Sequence, residues 1–221
     1  MPNPDVFSAL ASRRSVRGFL PREVPREDLE RIFTAAQRAP SWCNIQPWRV
    51  WVTSGATTER ITRALLDATQ RGAPQPDIAF PGDYPEPYGT HRRECGKALY
   101  QAMGIARNDT AARYDAWMRN FRAFGAPHVA IVGEDRRFGL YGALDVGCWL
   151  QSVMLCAQAL GIATCPQASL ASFPSVLRAE LDIPADVAIL CGIAIGYEDP
   201  DVPANACTTT RAPLADNVKL V

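Results

Sequence analysis

Apolar residues recur along this chain with three periods, and each period predicts a different element. At helical spacing, Leu29, Ile32, Phe33 and Ala36 share one face of a segment that Pro25 opens and Pro40 stops, with Glu27 and Asp28 in its first turn. Similar reasoning predicts helices over residues 5–12, 56–71, 92–104, 109–122 and 174–181. Short apolar runs bounded by turn residues predict strands at 48–53, 128–133, 162–165 and 187–195. The closing NVKLV reads as a further edge strand. The third pattern has no polar face at all. Between Asp145 and Arg178 lie 32 residues without an Asp, Glu, Lys or Arg. Their first half reads as one helix, with Leu144, Val146, Trp149, Leu150, Val153, Met154, Leu155, Ala157 and Leu160 distributed all round it and Gly161 at its end.

A helix apolar on every face is buried in a large core or lies in a membrane. Gln151, Ser152 and Gln158 interrupt this one, and its unbroken apolar run is well short of the roughly 20 residues that span a bilayer. Burial is therefore expected, with no membrane. In a chain of 221 residues, a helix buried on all sides is expected to have another subunit against it, which predicts a homodimer with the helix in its interface. The elements mix without a βαβ alternation, so the expected class is α+β. Residues 72–90 stand apart, with five prolines (74, 76, 81, 85, 87), three glycines and two tyrosines. A loop of this length inside a domain is functional or mobile. The whole chain, 1–221, is read as a single domain with that excursion and a C-terminal extension at about 198–221.

Composition sharpens this picture. Hydrophobic content of 48% and 21% charged residues suit a sizeable core, and a net charge of zero gives no reason to expect nucleic acid. Seven cysteines form no C-x-x-C pair, and no basic start followed by an apolar run suggests a signal peptide. Both features point to a reducing cytoplasm.

The chemistry is marked first by what is missing. There is no G-x-G-x-x-G, Walker loop or G-x-S-x-G elbow. His91 and His128 lack partners at metal or triad spacing, so no metal is expected and His128 reads as structural. Three polar constellations remain. In Arg13-Arg14-Ser15-Val16-Arg17, alternation on an extended backbone turns Arg13, Ser15 and Arg17 to one side and Val16 to the core. This is a phosphate cradle or a solvated basic loop. In residues 40–48, two prolines stiffen a loop whose Asn44 and Gln46 amides suit a flat heteroaromatic ring or satisfy their own backbone. Thr208, Thr209, Thr210 and Arg211 form another anion candidate or a tail.

In order and separation these segments resemble the nitroreductase family of flavoproteins over nearly the whole chain. The resemblance is carried by R-R-S-V-R-x-F from Arg13, A-P-S-x-x-N-x-Q-P-W from Ala39 and F-G-A-P from Phe124. D-V-G from Asp145, the apolar helix, L-G-I-A-T and a late arginine complete it. It implies an intertwined homodimer with a central mixed sheet wrapped by helices and an FMN at each of two subunit interfaces. Arg13, Ser15, Arg17 and Arg211, with Arg14 in addition, would hold the phosphate, ribityl chain and pyrimidine edge. The loop carrying Pro40, Ser41, Trp42, Asn44 and Gln46 would reach the flavin from the other subunit. Pro166, Gln167, Ala168 and Ser169 would line its edge; here the chain departs from the many members that carry an acid and a glycine.

The resemblance also implies a ping-pong reduction in which NADPH or NADH reduces the flavin and a small aromatic oxidant, nitroaromatic or quinone-like, takes the electrons. Arg17 would place a cation near the flavin's N1–C2=O edge, and Trp42, Tyr84, Tyr88, Phe121 and Phe124 would meet the substrate. No side chain of the protein is expected to act as acid, base or nucleophile, since the cofactor carries the chemistry. A flavin-binding or storage protein without fast turnover, a flavin destructase and a dehalogenase are the alternatives.

Overall fold

The strongest apolar runs pair with one another. In a computed structural model, which describes residues 5–221, β1 (Trp48–Ser54), β2 (His128–Asp135), β3 (Ala163–Gln167) and β4 (Val187–Gly196) form one sheet in the order β1-β2-β4-β3. All three pairings are antiparallel, with Val50 opposite Val132, Ala130 opposite Ile193 and Cys165 opposite Ala194. This corrects the expected mixed sheet. The connections β1 to β2 and β3 to β4 leave and rejoin the sheet at the same end, which makes these neighbours antiparallel. Among the described residues, parallel pairing is confined to an isolated bridge between Ser15 and Thr164.

Alternation along the central strands sends side chains into two cores. Val129 and Ile131 meet Ile61 and Leu65 of α3 (Gly55–Arg71) and Leu177 of α7 (Pro174–Leu181). Ala130 and Val132 meet Leu29 and Ile32 of α2 (Arg26–Ala36) and Val146, Trp149 and Val153 of α6 (Gly139–Ala159). The remaining helices are α1 (Val6–Ser12), α4 (Tyr88–Ala102), α5 (Thr110–Met118) and α8 (Leu214–Asn217). Asp5 and Asp109 cap α1 and α5 by accepting the Ser8 and Ala112 amides. Pro25 stands just before α2 rather than within its first turn.

Three expectations change. The helix expected over 109–122 ends at Met118, and a 3₁₀ turn, Arg119–Gly125, follows in which Ala123 and Phe124 take left-handed conformations. NVKLV pairs with no strand: α8 takes Asn217, and the remaining residues are exposed. A terminal segment without a neighbouring edge to pair with gains nothing from the strand conformation. The apolar helix is 21 residues long, beginning six residues before Asp145, so length and composition alone would let it cross a bilayer. Its packing argues otherwise, because Val146, Trp149, Val153 and Ala157 are locked into the core. Its end is as expected: Gly161 at φ +70° closes a double turn in which Ile162 N–H reaches Ala157 O at 2.9 Å and Gly161 N–H reaches Gln158 O at 3.0 Å.

The Pro-rich excursion is pinned at its start. Gln75 N–H donates to Ser172 O at 2.9 Å. The Asp77 carboxylate takes Arg178 and Arg136 at 2.6 Å each and the Ile189 amide at 2.8 Å. Burial alone would raise this acid; the Arg178 bond, the Ile189 amide and Arg136 outweigh it and hold Asp77 below the usual carboxylate range.

Candidate cofactor site

The segment around Arg13 lies along β3. Val16 N–H donates to Thr164 O at 3.1 Å, and Val16 itself is buried in the α3-side core. Arg13, Ser15 and Arg17 gather at Cys165. Burial pushes that thiol up to about 11, while Arg17, Ser15 and Arg13 pull against it. Arg17 Nη1 donates to Ser15 O at 3.2 Å, and Arg119 Nη2 donates to Arg17 O at 3.0 Å. Arg13 and Arg17 are half-buried, yet among the described residues neither pairs with a carboxylate. Partly desolvated guanidinium groups without counter-charge are costly, and two of them flanking a hydroxyl fit an anion such as phosphate.

Two further arginines do not join them. Arg14 is bound to Glu198 at 2.5 Å and Asn205 O at 3.0 Å, so it fastens the C-terminal segment and is not free for an anion. Arg211 is exposed, and its Nη1 donates to Thr209 Oγ1 and Thr210 O at 2.8 Å each.

The loop before β1 is strained. Cys43, Asn44 and Gln46 have φ of 45°, 57° and 50°, a region that costs a non-glycine residue about 1–2 kcal/mol. Such strain concentrates at functional sites. The loop closes on itself: Asn44 N–H donates to Ser41 O, and Gln46 N–H to Ser41 Oγ, at 3.0 Å each. Gln46 Nε2 donates to Asn44 O at 3.0 Å, so this amide serves its own loop. The Asn44 side chain has no hydrogen-bond partner among the described residues and is exposed. Pro40 precedes the turn as an exposed stop to the helical segment.

At the end of β3, Gln167 is buried and Pro166 half-buried; Ala168 and Ser169 begin a 3₁₀ turn, Ala168–Ala171, that covers β4. Gly192 makes room for it, since a Cβ there would lie 2.5 Å from Leu170 Cδ1. Gln167 Nε2 donates to Asn120 O at 3.0 Å and approaches Asn120 Oδ1 at 3.4 Å, where Ser169 Oγ also arrives at 3.4 Å. Two facing acceptors fix the Gln167 amide, leaving Oε1 buried without a partner. Arg119 and Asn120 were invisible in the sequence because the 3₁₀ turn read as helix.

The aromatic candidates divide. Trp42 is exposed and packs on Tyr141 at 5.0 Å between ring centroids. Tyr84 and Tyr88 are exposed, with Arg92 4.9 Å above the Tyr84 ring. Phe121 and Phe124 are buried in the core, Phe121 between Trp117 and Phe173, which corrects their reading as substrate contacts. Their left-handed and 3₁₀ backbone turns them inward, which the helical reading concealed.

A carboxylate pair also emerges that the sequence did not suggest. Asp145, buried in α6, accepts Trp42 N–H with both oxygens at 3.1 and 3.0 Å. Glu134 of β2, 1% exposed, lies near it with Oε2 unpartnered. Gly142 permits this, because a Cβ there would collide with the Glu134 carboxylate. Burial first, then Asp145 and Asp135, push Glu134 up to about 7. His128 is structural: Nε2 accepts Val24 N–H at 2.9 Å, so Nδ1–H faces Ser54 Oγ at 2.6 Å. Burial lowers its pKa.

Known proteins share this architecture. The profile of the Nitroreductase family matches residues 10–197. A chloronitrobenzene nitroreductase from Comamonas testosteroni is 36% identical over 97% of this chain and 96% of its own. A nitrobenzene nitroreductase from Ectopseudomonas oleovorans is 36% identical with the same coverage. The crystal structure of the FMN-dependent nitroreductase NfnB from Mycobacterium smegmatis, in complex with NADPH, superposes with a TM-score of 0.93 at 35% identity, over 98% of this chain and 100% of that one.

Proposed function

The chain belongs to the nitroreductase family, and from that premise we propose that it is an FMN-dependent reductase of nitroaromatic compounds, driven by NADPH or NADH and built as a homodimer. The observation that carries the cofactor reading is the half-buried pair Arg13 and Arg17, flanking Ser15 with no counter-charge. When bound, FMN supplies a two-electron carrier that no side chain here can replace. The protein's work is to bind, orient and tune. Arg13 and Ser15 hold the phosphate and ribityl chain; Arg17 places a positive charge at the pyrimidine edge, where reduction adds negative charge. Pro166, Gln167, Ala168 and Ser169 line the ring edge, stiffened by Asn120. Arg211, which lies apart from this cluster within one chain, is assigned to the anion site on the family likeness alone.

The open face of α6 supports the dimer reading. Leu140, Tyr141 and Leu144 are exposed on its N-terminal half, and Val6, Phe7 and Leu10 are exposed on α1. These apolar side chains call for a second subunit. The loop holding Pro40, Ser41, Trp42, Asn44 and Gln46 reaches the flavin of that subunit. Trp42, Tyr84 and Tyr88 offer flat faces to an aromatic oxidant. NADPH is the reductant we favour, on the likeness to NfnB. Free cysteines suit the cytoplasm, and the whole chain acts as one FMN-binding domain.

The purified protein is expected to show a flavin absorption spectrum that NADPH bleaches anaerobically. Arg17→Ala raises the FMN dissociation constant at least ~10-fold, since a charge-assisted bond is worth about 1.5–3 kcal/mol, and lowers the reduction potential. A colourless protein that takes up no added FMN overturns this reading.

A further inference from the structure

The strained loop does not hold itself in place. Its internal bonds, which end on Ser41, Trp42 O and Asn44 O, close the turn but attach it to nothing else. Two residues of α6 supply the attachment. Asp145 takes the Trp42 amide on both carboxylate oxygens, and Tyr141, one turn earlier on the same helical face, packs against the Trp42 indole at 5.0 Å. The Trp42 backbone and side chain are thus fixed to one rigid helix, immediately before the left-handed residues Cys43 and Asn44. A buried carboxylate accepting a backbone N–H makes a charge-assisted bond, stronger than an amide–carbonyl bond. This accounts for a lone acid within an otherwise apolar stretch of helix, at a position where an apolar residue would pack without desolvation cost.

We propose that Asp145 and Tyr141 form a two-point positioning clamp on Trp42, which keeps Cys43, Asn44 and Gln46 in the left-handed conformations that offer the Asn44 side chain to the cofactor. The consequence for the cofactor rests on the FMN reading; the clamp itself does not. Asp145 and Tyr141 act through Trp42 and touch no reacting atom.

Hydrogen–deuterium exchange on the full-length protein without FMN tests the clamp, and FMN titration of the same samples tests its consequence. Asp145→Ala speeds exchange of the Trp42 amide by ~10- to 100-fold, the range for losing a charge-assisted bond, and raises the FMN dissociation constant ~10-fold. Asp145→Asn retains one carbonyl oxygen and restores both readings to within ~3-fold of wild type. Tyr141→Ala, outside the chain's own core but on the proposed subunit face, speeds Trp42 exchange ~3-fold at unchanged sedimentation and carries the test if Asp145→Ala fails to fold. Unchanged Trp42 exchange in Asp145→Ala and Tyr141→Ala overturns the clamp. Faster exchange with unchanged FMN affinity overturns its positioning role. Wild-type protein that binds no FMN, yet shows the exchange pattern, overturns the FMN reading while the clamp stands.

Discussion

The two halves of α6 are built from similar residues and meet opposite fates. In the C-terminal half, Val153 and Ala157 are fully buried, and Trp149 lies between Phe33 at 6.0 Å and Trp48 at 6.3 Å. In the N-terminal half, Leu140, Tyr141 and Leu144 are exposed; Leu140 keeps 84% of its surface open. The acid pair Glu134 and Asp145 sits near the boundary, where the helix passes from the sheet to the open face. The difference teaches that apolar composition states only that a face must be covered. One half is covered by the chain's own sheet and α2; the other keeps an open face, to which the proposed partner subunit is assigned.

The largest expected effect breaks the buried half. Trp149→Ala removes the centre of the α2-side core and costs about 3–5 kcal/mol, read as a lower denaturant midpoint at every protein concentration. A smaller, different effect is expected in the open half. Leu144→Glu places an unpaired charge in the proposed interface and weakens association about 100-fold, or about 3 kcal/mol. Sedimentation at micromolar concentration then shows a monomer with little change in the unfolding of each chain. A dimer that persists puts the interface elsewhere.

The smallest effect sharpens the boundary. Glu134 is raised from 4.5 to about 7 in the folded protein, so its contribution is fully favourable below pH 4.5 and is lost as pH rises through about 7. The groups facing it are Asp145 from α6 and Asp135 from its own strand. Asp135 in turn is held low by Arg137 and, from β1, by Arg49. Glu134→Gln should therefore stabilise the protein by about 1–3 kcal/mol at pH 8 and leave it unchanged near pH 4. Equal stabilisation at both pH values would assign the effect to packing instead.

Much of the fold was legible because local periodicity and burial agree. The strands cored by Val129, Ile131, Ile193 and Ile195, the α2 face of Leu29, Ile32 and Ala36, and the Gly161 stop all appear where the patterns put them. The site was legible only in part. The alternation of Arg13, Ser15 and Arg17 around Val16 is a property of the local backbone. Phe121 and Phe124 were misread because a helical pattern does not reveal a 3₁₀ turn with two left-handed residues, whose geometry is imposed by packing. The pairing of Arg14 was not legible because its carboxylate partner, Glu198, lies 184 positions away.

The sequence by itself determined the α+β class, the placement of the main helices and strands, the resemblance to the nitroreductase family and the need to cover an unusually apolar helix. These depend on composition, spacing and short motifs. Tertiary structure alone decided that the sheet is antiparallel, which half of α6 stays open, which arginines remain without a counter-charge, and that Glu134 and Asp145 meet beneath the loop. The reason is physical: burial and pairing are set by residues distant in sequence, and an electrostatic environment exists only once the chain has brought those charges together.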